Sequence, residues 1–167
     1  MKNSVSGELL NSNASHRNMW CSLDIPSSRD DANVIEEKII SLCQKYSYSP
    51  RDIFALKLAL EEALTNAIRH GNGGKLEKHI HIKYRVTRQR ADIVIADEGA
   101  GFNPAAVPDP TQECNLDRCG GRGLLLMRAY MNSVVFNPVG NSVTLTKFNE
   151  SRPTRAHSNA ATRIAFG

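Results

Sequence analysis

Glu62 and Asn66 stand one helical turn apart in the run Glu61, Glu62, Ala63, Leu64, Thr65, Asn66, Ala67, Ile68, Arg69, His70, Gly71. A carboxylate at that spacing can take a proton from an attacking hydroxyl, and an amide oxygen can serve a hard cation such as Mg²⁺. A second group follows the apolar run Ile93, Val94, Ile95, Ala96: Asp97, Glu98, Gly99, Ala100, Gly101. Its carboxylate, held at a strand end, can accept a hydrogen bond from an exocyclic amine, while bare glycines let the backbone pass close to a flat ring. A third group, Gly120, Gly121, Arg122, Gly123, runs into Leu124, Leu125, Leu126, Met127. Unpaired amides at such a helix start attract phosphate, and Arg118 and Arg122 stand where they meet either a phosphate or solvent.

Each group also has a plain structural explanation. Glu62 and Asn66 fit the solvated face of an amphipathic helix, Asp97 to Gly101 fits a turn that needs positive φ, and Gly120 to Gly123 fits a flexible lead into a buried helix. Other nucleotide motifs fail: a P-loop ending at Lys75 would need glycine at Arg69 and serine or threonine at Leu76. A dinucleotide fingerprint fails where Pro104 replaces the third glycine. His79 and His81 share one face of a strand but lack a third metal ligand, and read as a surface pair.

The elements that must position these groups follow from periodicity and capping. Trp20 to Ile25 alternates as a strand and stops at Pro26. A first helix spans roughly Arg29 to Tyr46, with Val34, Ile35, Ile39, Leu42 and Cys43 at helical spacing. The second helix starts at Ser49, Pro50, Arg51, Asp52, which supply an N-cap, a proline at the first position and the acid of a capping box. It runs to about His70 and ends at Gly71. Ile53, Leu56, Leu60, Leu64 and Ala67 make its core face, and Ala55, Ala59, Glu62, Asn66 and His70 cluster on the other side. Strands at His79 to Thr87 and Ala91 to Asp97, a helix at Leu124 to Met131, and strands at Ser133 to Asn137 and Ser142 to Phe148 complete the order β-α-α-β-β-α-β-β. The expected fold is α+β: a two-layer α/β sandwich with helices on one face of a mixed, mostly antiparallel sheet.

With 167 residues and 41% hydrophobic content, the chain suits one domain, expected over residues 18–149 between polar, disordered tails at 1–17 and 150–167. Without an apolar run of membrane length or a signal-peptide pattern at Met1 to Asn18, it reads as a soluble cytoplasmic protein with no membrane partner. Cys21, Cys43, Cys114 and Cys119 lack paired zinc or disulfide spacing and read as reduced thiols. The net charge of +4 is scattered rather than striped, so no direct nucleic-acid partner is implied.

Taken in order, the three groups resemble the N box and two glycine boxes of the Bergerat ATP-binding fold, shared by histidine kinases, type II topoisomerases and heat-shock-class chaperones. The forms E-A-x-T-N-A-x-x-H-G and G-G-R-G-L look most like the compact anti-sigma factor serine kinases. The length leaves no room for the dimerising helices of a complete histidine kinase. By resemblance, Asn66 would hold Mg²⁺ with the phosphates of ATP and Glu62 would be the catalytic base. Asp97 would receive the adenine amino group, Gly99 and Gly101 would make room for the base, and Gly121, Arg122 and Gly123 would line the phosphate path. Phe102 to Cys119 would form the ATP lid. The implied activity is phosphorylation of a serine on an anti-anti-sigma (STAS-type) protein by a homodimer that otherwise sequesters a sigma factor. The same pocket also fits a nucleotide-gated binding module without phosphoryl transfer, or a degenerate interaction domain.

Overall fold

The computed structural model describes residues 19–103 and 122–151. The expected tails apart from Glu150 and Ser151, all of the lid beyond Asn103, and the glycines Gly120 and Gly121 lie outside the described residues. The elements are β1 (Cys21–Pro26), α1 (Arg29–Lys45), α2 (Pro50–Asn66), a π-helical turn (Ala67–Gly71), β2 (His79–Val86), β3 (Arg90–Asp97), α3 (Arg122–Tyr130), β4 (Ser133–Phe136) and β5 (Ser142–Phe148). They form a two-layer α+β sandwich, the architecture that the resemblance implies. The sheet order is β1-β2-β3-β5-β4. Every pairing is antiparallel, so the sheet among the described residues is purely antiparallel rather than mixed.

Strand alternation sets the core. Leu23, Ile82, Ile95, Val143 and Phe136 lie opposite one another across all five strands, and Tyr84, Ile93, Leu145 and Val134 make the next inward row. These rows meet the buried Leu56, Leu60 and Leu64 of α2 and Ile35, Ile39 and Cys43 of α1. The reverse face carries His81, Lys83 and other exposed polar side chains.

Helix α2 ends at Asn66 rather than near His70, its continuation being the π-helical turn Ala67–Gly71, and two expectations about helix faces also differ from the structure. Val34 is 63% exposed, because the buried stripe of α1 runs through Ala32, Ile35, Ile39, Ile40 and Cys43, about 100° away around the helix. Ala55 and Ala59, expected on the polar side with Glu62, are fully buried. Helix α2 packs against both α1 and α3, so it buries two faces and leaves a narrower polar arc than one amphipathic stripe implies.

Helix α2 is fixed lengthwise by its start. The Ser49 hydroxyl accepts from the Asp52 amide at 3.1 Å, completing the capping box. Asp52 is fully buried, 3.2 Å from the Lys147 ammonium, and also accepts from the Ser49 hydroxyl at 2.8 Å and the Glu150 amide at 3.1 Å. This ties the beginning of α2 to the end of β5. The 17 residues of α2 then extend about 25 Å, so Asn66 arrives at the opposite end of the sheet, beside the start of β5 and the end of β3.

Candidate functional site

Asp97 closes β3 in the same parity as Ile93 and Ile95, and pairs across the sheet with Ile80. The alternation that buries those isoleucines therefore aims the Asp97 carboxylate at the helix layer, one step beyond the core. There it meets Gly71, the last residue of the π-helical turn: a Cβ on Gly71 would lie 2.1 Å from the carboxylate carbon. The Gly99 amide donates to Asp97 Oδ1 at 2.8 Å. Burial raises the Asp97 pKa above the ordinary carboxylate value, opposed by that amide bond, by the charge of Lys78 and by its own amide.

The glycine turn is clamped by the β4–β5 hairpin. Gly101 has φ +78°, and a Cβ there would sit 2.1 Å from the Val139 carbonyl; Gly140 has φ +81°, and its Cβ would sit 1.8 Å from the Phe102 carbonyl. Only glycine fits at either crossing. Asn137 holds the hairpin, its Oδ1 accepting from the amides of Gly140, Asn141 and Ser142. The Asn141 carbonyl accepts the Asp97 amide at 2.9 Å. Phe102 and Phe136 pack edge to face with centroids 5.3 Å apart.

At the other end, Glu62 and Asn66 project from the last turns of α2, and neither has a side-chain hydrogen-bond partner among the described residues. Glu62 lies against the start of α3, where a Cβ on Gly123 would come within 2.3 Å of its Oε2.

Between these groups lies a cavity of about 530 Å³. Its wall includes Asn66, Asp97, Gly101 and Gly123 together with apolar Ile95, Phe136, Val143, Leu124 and Met127. That volume and mix, mostly apolar with a few convergent polar groups, suits a small planar ligand with a polar extension. Of the other predicted residues, Glu62 touches the wall through Gly123 and Gly99 through Asp97. Arg122 opens α3, exposed and outside the cavity wall, and Gly121 lies outside the described residues.

Sequence reasoning missed Gly140, Asn141, Phe136 and Met127 in the wall, and the role of Gly71 beyond ending a helix. A Gly-Asn pair in a hairpin gives a turn signal but does not say which distant loop the hairpin meets. The residues expected as a surface histidine pair are exposed, and His81 contacts Asp24 at 2.8 Å and Glu98 at 3.7 Å. Among the described residues no cluster of three such side chains could hold a metal ion, and no helix is long and apolar enough to cross a membrane.

Residues 25–147 match the histidine kinase-like ATPase domain family. The serine-protein kinase RsbW of Bacillus licheniformis is 30% identical over 130 residues, covering 74% of this chain and 81% of the relative. RsbW of Bacillus subtilis (strain 168) is 27% identical over 142 residues, 77% of this chain and 85% of the relative. The serine/threonine-protein kinase BtrW of Bordetella bronchiseptica is 35% identical over 103 residues, 59% of this chain and 72% of the relative.

Proposed function

The chain belongs to the histidine kinase-like ATPase domain family, and on that footing we propose that it is an ATP-dependent serine/threonine-protein kinase acting as an anti-sigma factor in a partner-switching system. It phosphorylates an anti-anti-sigma (STAS-type) protein on serine and otherwise holds a sigma factor, as a cytoplasmic homodimer. The observation that carries this reading is the cavity whose wall brings together Asp97, Asn66 and Gly123. The names of its relatives, serine-protein kinase and serine/threonine-protein kinase, give the reaction class.

Asp97 receives the adenine amino group. Guanine presents a carbonyl oxygen at that position, which a carboxylate repels, so the site prefers adenine. Ile95, Val143, Phe136 and Met127 enclose the ring, and the Gly101 turn brings backbone against it without a side chain in the way. The helix start at Gly123 supplies backbone amides toward the phosphates.

Asn66 fits a Mg²⁺ site in chemistry: an oxygen donor without a protein hydrogen-bond partner among the described residues, on the cavity wall at the phosphate end. A Mg²⁺ bound there with the triphosphate would supply neutralisation of the charge that develops on the transferred group. Glu62, one turn earlier on α2, accepts the proton of the serine hydroxyl as its oxygen bonds to the γ-phosphorus and ADP leaves. Gly123 against Glu62 fixes where that carboxylate can sit.

The test is incubation of the protein with γ-labelled ATP, Mg²⁺ and STAS-type proteins encoded beside it, with Glu62→Gln as control. Label transferred to serine by the native chain and lost in the variant is the expected result. ATP binding without transfer to any partner would leave a nucleotide-gated binding module instead. Failure to bind adenine nucleotide at millimolar concentration would overturn the nucleotide reading altogether.

A further inference from the structure

Asn72 follows the π-helical turn and is 1% exposed, a depth at which an amide side chain must have partners. Its Nδ2 donates to the His79 carbonyl at 2.9 Å, and its Oδ1 accepts from the Glu98 amide at 2.9 Å. Its own backbone amide closes the π-helical turn on the Ala67 carbonyl at 2.8 Å. One residue thus joins the end of the helix carrying Asn66, the start of β2, and the peptide that follows Asp97.

The consequence falls on the Asp97 carboxylate. The peptide before Asp97 is held through its amide by the Asn141 carbonyl, and the peptide after it is held through the Glu98 amide by Asn72. With both flanking peptides fixed, the backbone at Asp97 cannot rotate, and its side chain stays against Gly71 with Oδ1 on the Gly99 amide. Without Asn72 the Glu98 peptide can turn toward other partners and carry the carboxylate with it.

We propose that Asn72 is a positioning residue for purine selection: by fixing the Glu98 peptide it sets where the Asp97 carboxylate meets the base. This rests on the nucleotide reading given above and extends it to a residue outside the cavity wall. Asn72 touches neither ligand nor reacting atoms; it acts through Asp97.

The test measures the affinities of ATP and GTP for the native protein, Asn72→Ala, Asn72→Asp, Asp97→Asn and the Asn72→Ala/Asp97→Asn double variant. Tyr48→Phe serves as a control. It removes a buried hydroxyl bonded to the Thr87 carbonyl, away from the site, and reports what lowered stability alone does to binding. Asn72→Ala should weaken ATP on the order of tenfold and narrow the ATP-over-GTP preference, while adding little to Asp97→Asn. Asn72→Asp keeps the acceptor for the Glu98 amide, so its ATP-over-GTP ratio should stay nearer the native one.

An unchanged ratio in both Asn72 variants, or equal losses for ATP and GTP as in a destabilised control, would overturn the proposal. So would failure of both variants to fold, which would make Asn72 a residue of the fold rather than of selectivity. If the native chain binds neither nucleotide, the nucleotide reading itself fails, and the position of Asn72 is not at fault.

Discussion

Replacing Asp97 by asparagine should separate what the carboxylate costs the fold from what it gives the ligand. In the native protein burial raises the Asp97 pKa, with the Gly99 amide, Lys78 and its own amide only partly opposing it. A folded-state pKa above the unfolded one means that the folded protein holds this proton more tightly. Stability from this group therefore declines as pH rises through the window between the ordinary carboxylate value and the raised one, and stays lower above it. Asparagine removes that decline while its Oδ1 can still accept from the Gly99 amide. Asp97→Asn should thus melt at or above the native temperature at pH 8, and its advantage should shrink as pH falls through that window to the ordinary carboxylate value. Binding should change in the opposite direction. A hydrogen bond from the adenine amine to an ionised acceptor is worth about 1.5–3 kcal/mol, so ATP affinity should fall about ten- to 150-fold. GTP should lose less, because the asparagine amide can turn a donor toward the guanine oxygen. Calorimetric titration with both nucleotides and melting curves from pH 4 to pH 8 measure the two effects. A variant that binds ATP as tightly as the native chain would refute the role of Asp97, and one that melts lower at pH 8 would refute the burial reasoning.

Gly123→Ala places a Cβ 2.3 Å from Glu62 Oε2, and restoring ordinary contact at 3.4 Å requires a carboxylate shift of about 1 Å. Single-turnover transfer should slow about 10²-fold while the melting temperature holds, since alanine suits a helix better than glycine. Lys147→Met leaves the buried Asp52 without its cation and should cost about 3–5 kcal/mol in denaturant unfolding, with nucleotide affinity of the folded protein unchanged. The Cys43 thiol is fully buried and pushed up to about 12 by burial and by the Asp52 charge, whereas Cys21 is exposed. Iodoacetamide at pH 8 should label Cys21 in the native protein and Cys43 only on unfolding, read by peptide mass mapping.

The order and type of every described strand and α-helix were legible in the sequence, because each is written in local patterns, whereas the π-helical turn Ala67–Gly71 was expected as the last turn of α2. Capping residues at Ser49, Pro50 and Asp52 mark where α2 starts, and alternation through Ile93 and Ile95 marks β3. Val34 and the pair Ala55 and Ala59 were misjudged for one reason: periodicity finds a helix and its stripe but does not count how many neighbours will cover it. A helix packed on one side and a helix packed on two differ in sequence only by a few small residues.

For the site, the sequence by itself determined the chemical inventory. The helical repeat fixes Glu62 and Asn66 on one face, strand parity fixes the side on which Asp97 stands, and glycine at 99, 101 and 123 fixes where backbone goes bare. Tertiary structure alone decided which of these meet. The pairing of β3 with β5 brings Gly140 and Asn141 onto the glycine turn, and the wide π-helical turn brings Gly71 against Asp97 and Asn72 onto Glu98. Those contacts join segments far apart in the chain, and they depend on strand order and on one irregular helical turn. Neither leaves a repeating mark in the sequence, because what they require is only an absent side chain or a single amide at the point of contact.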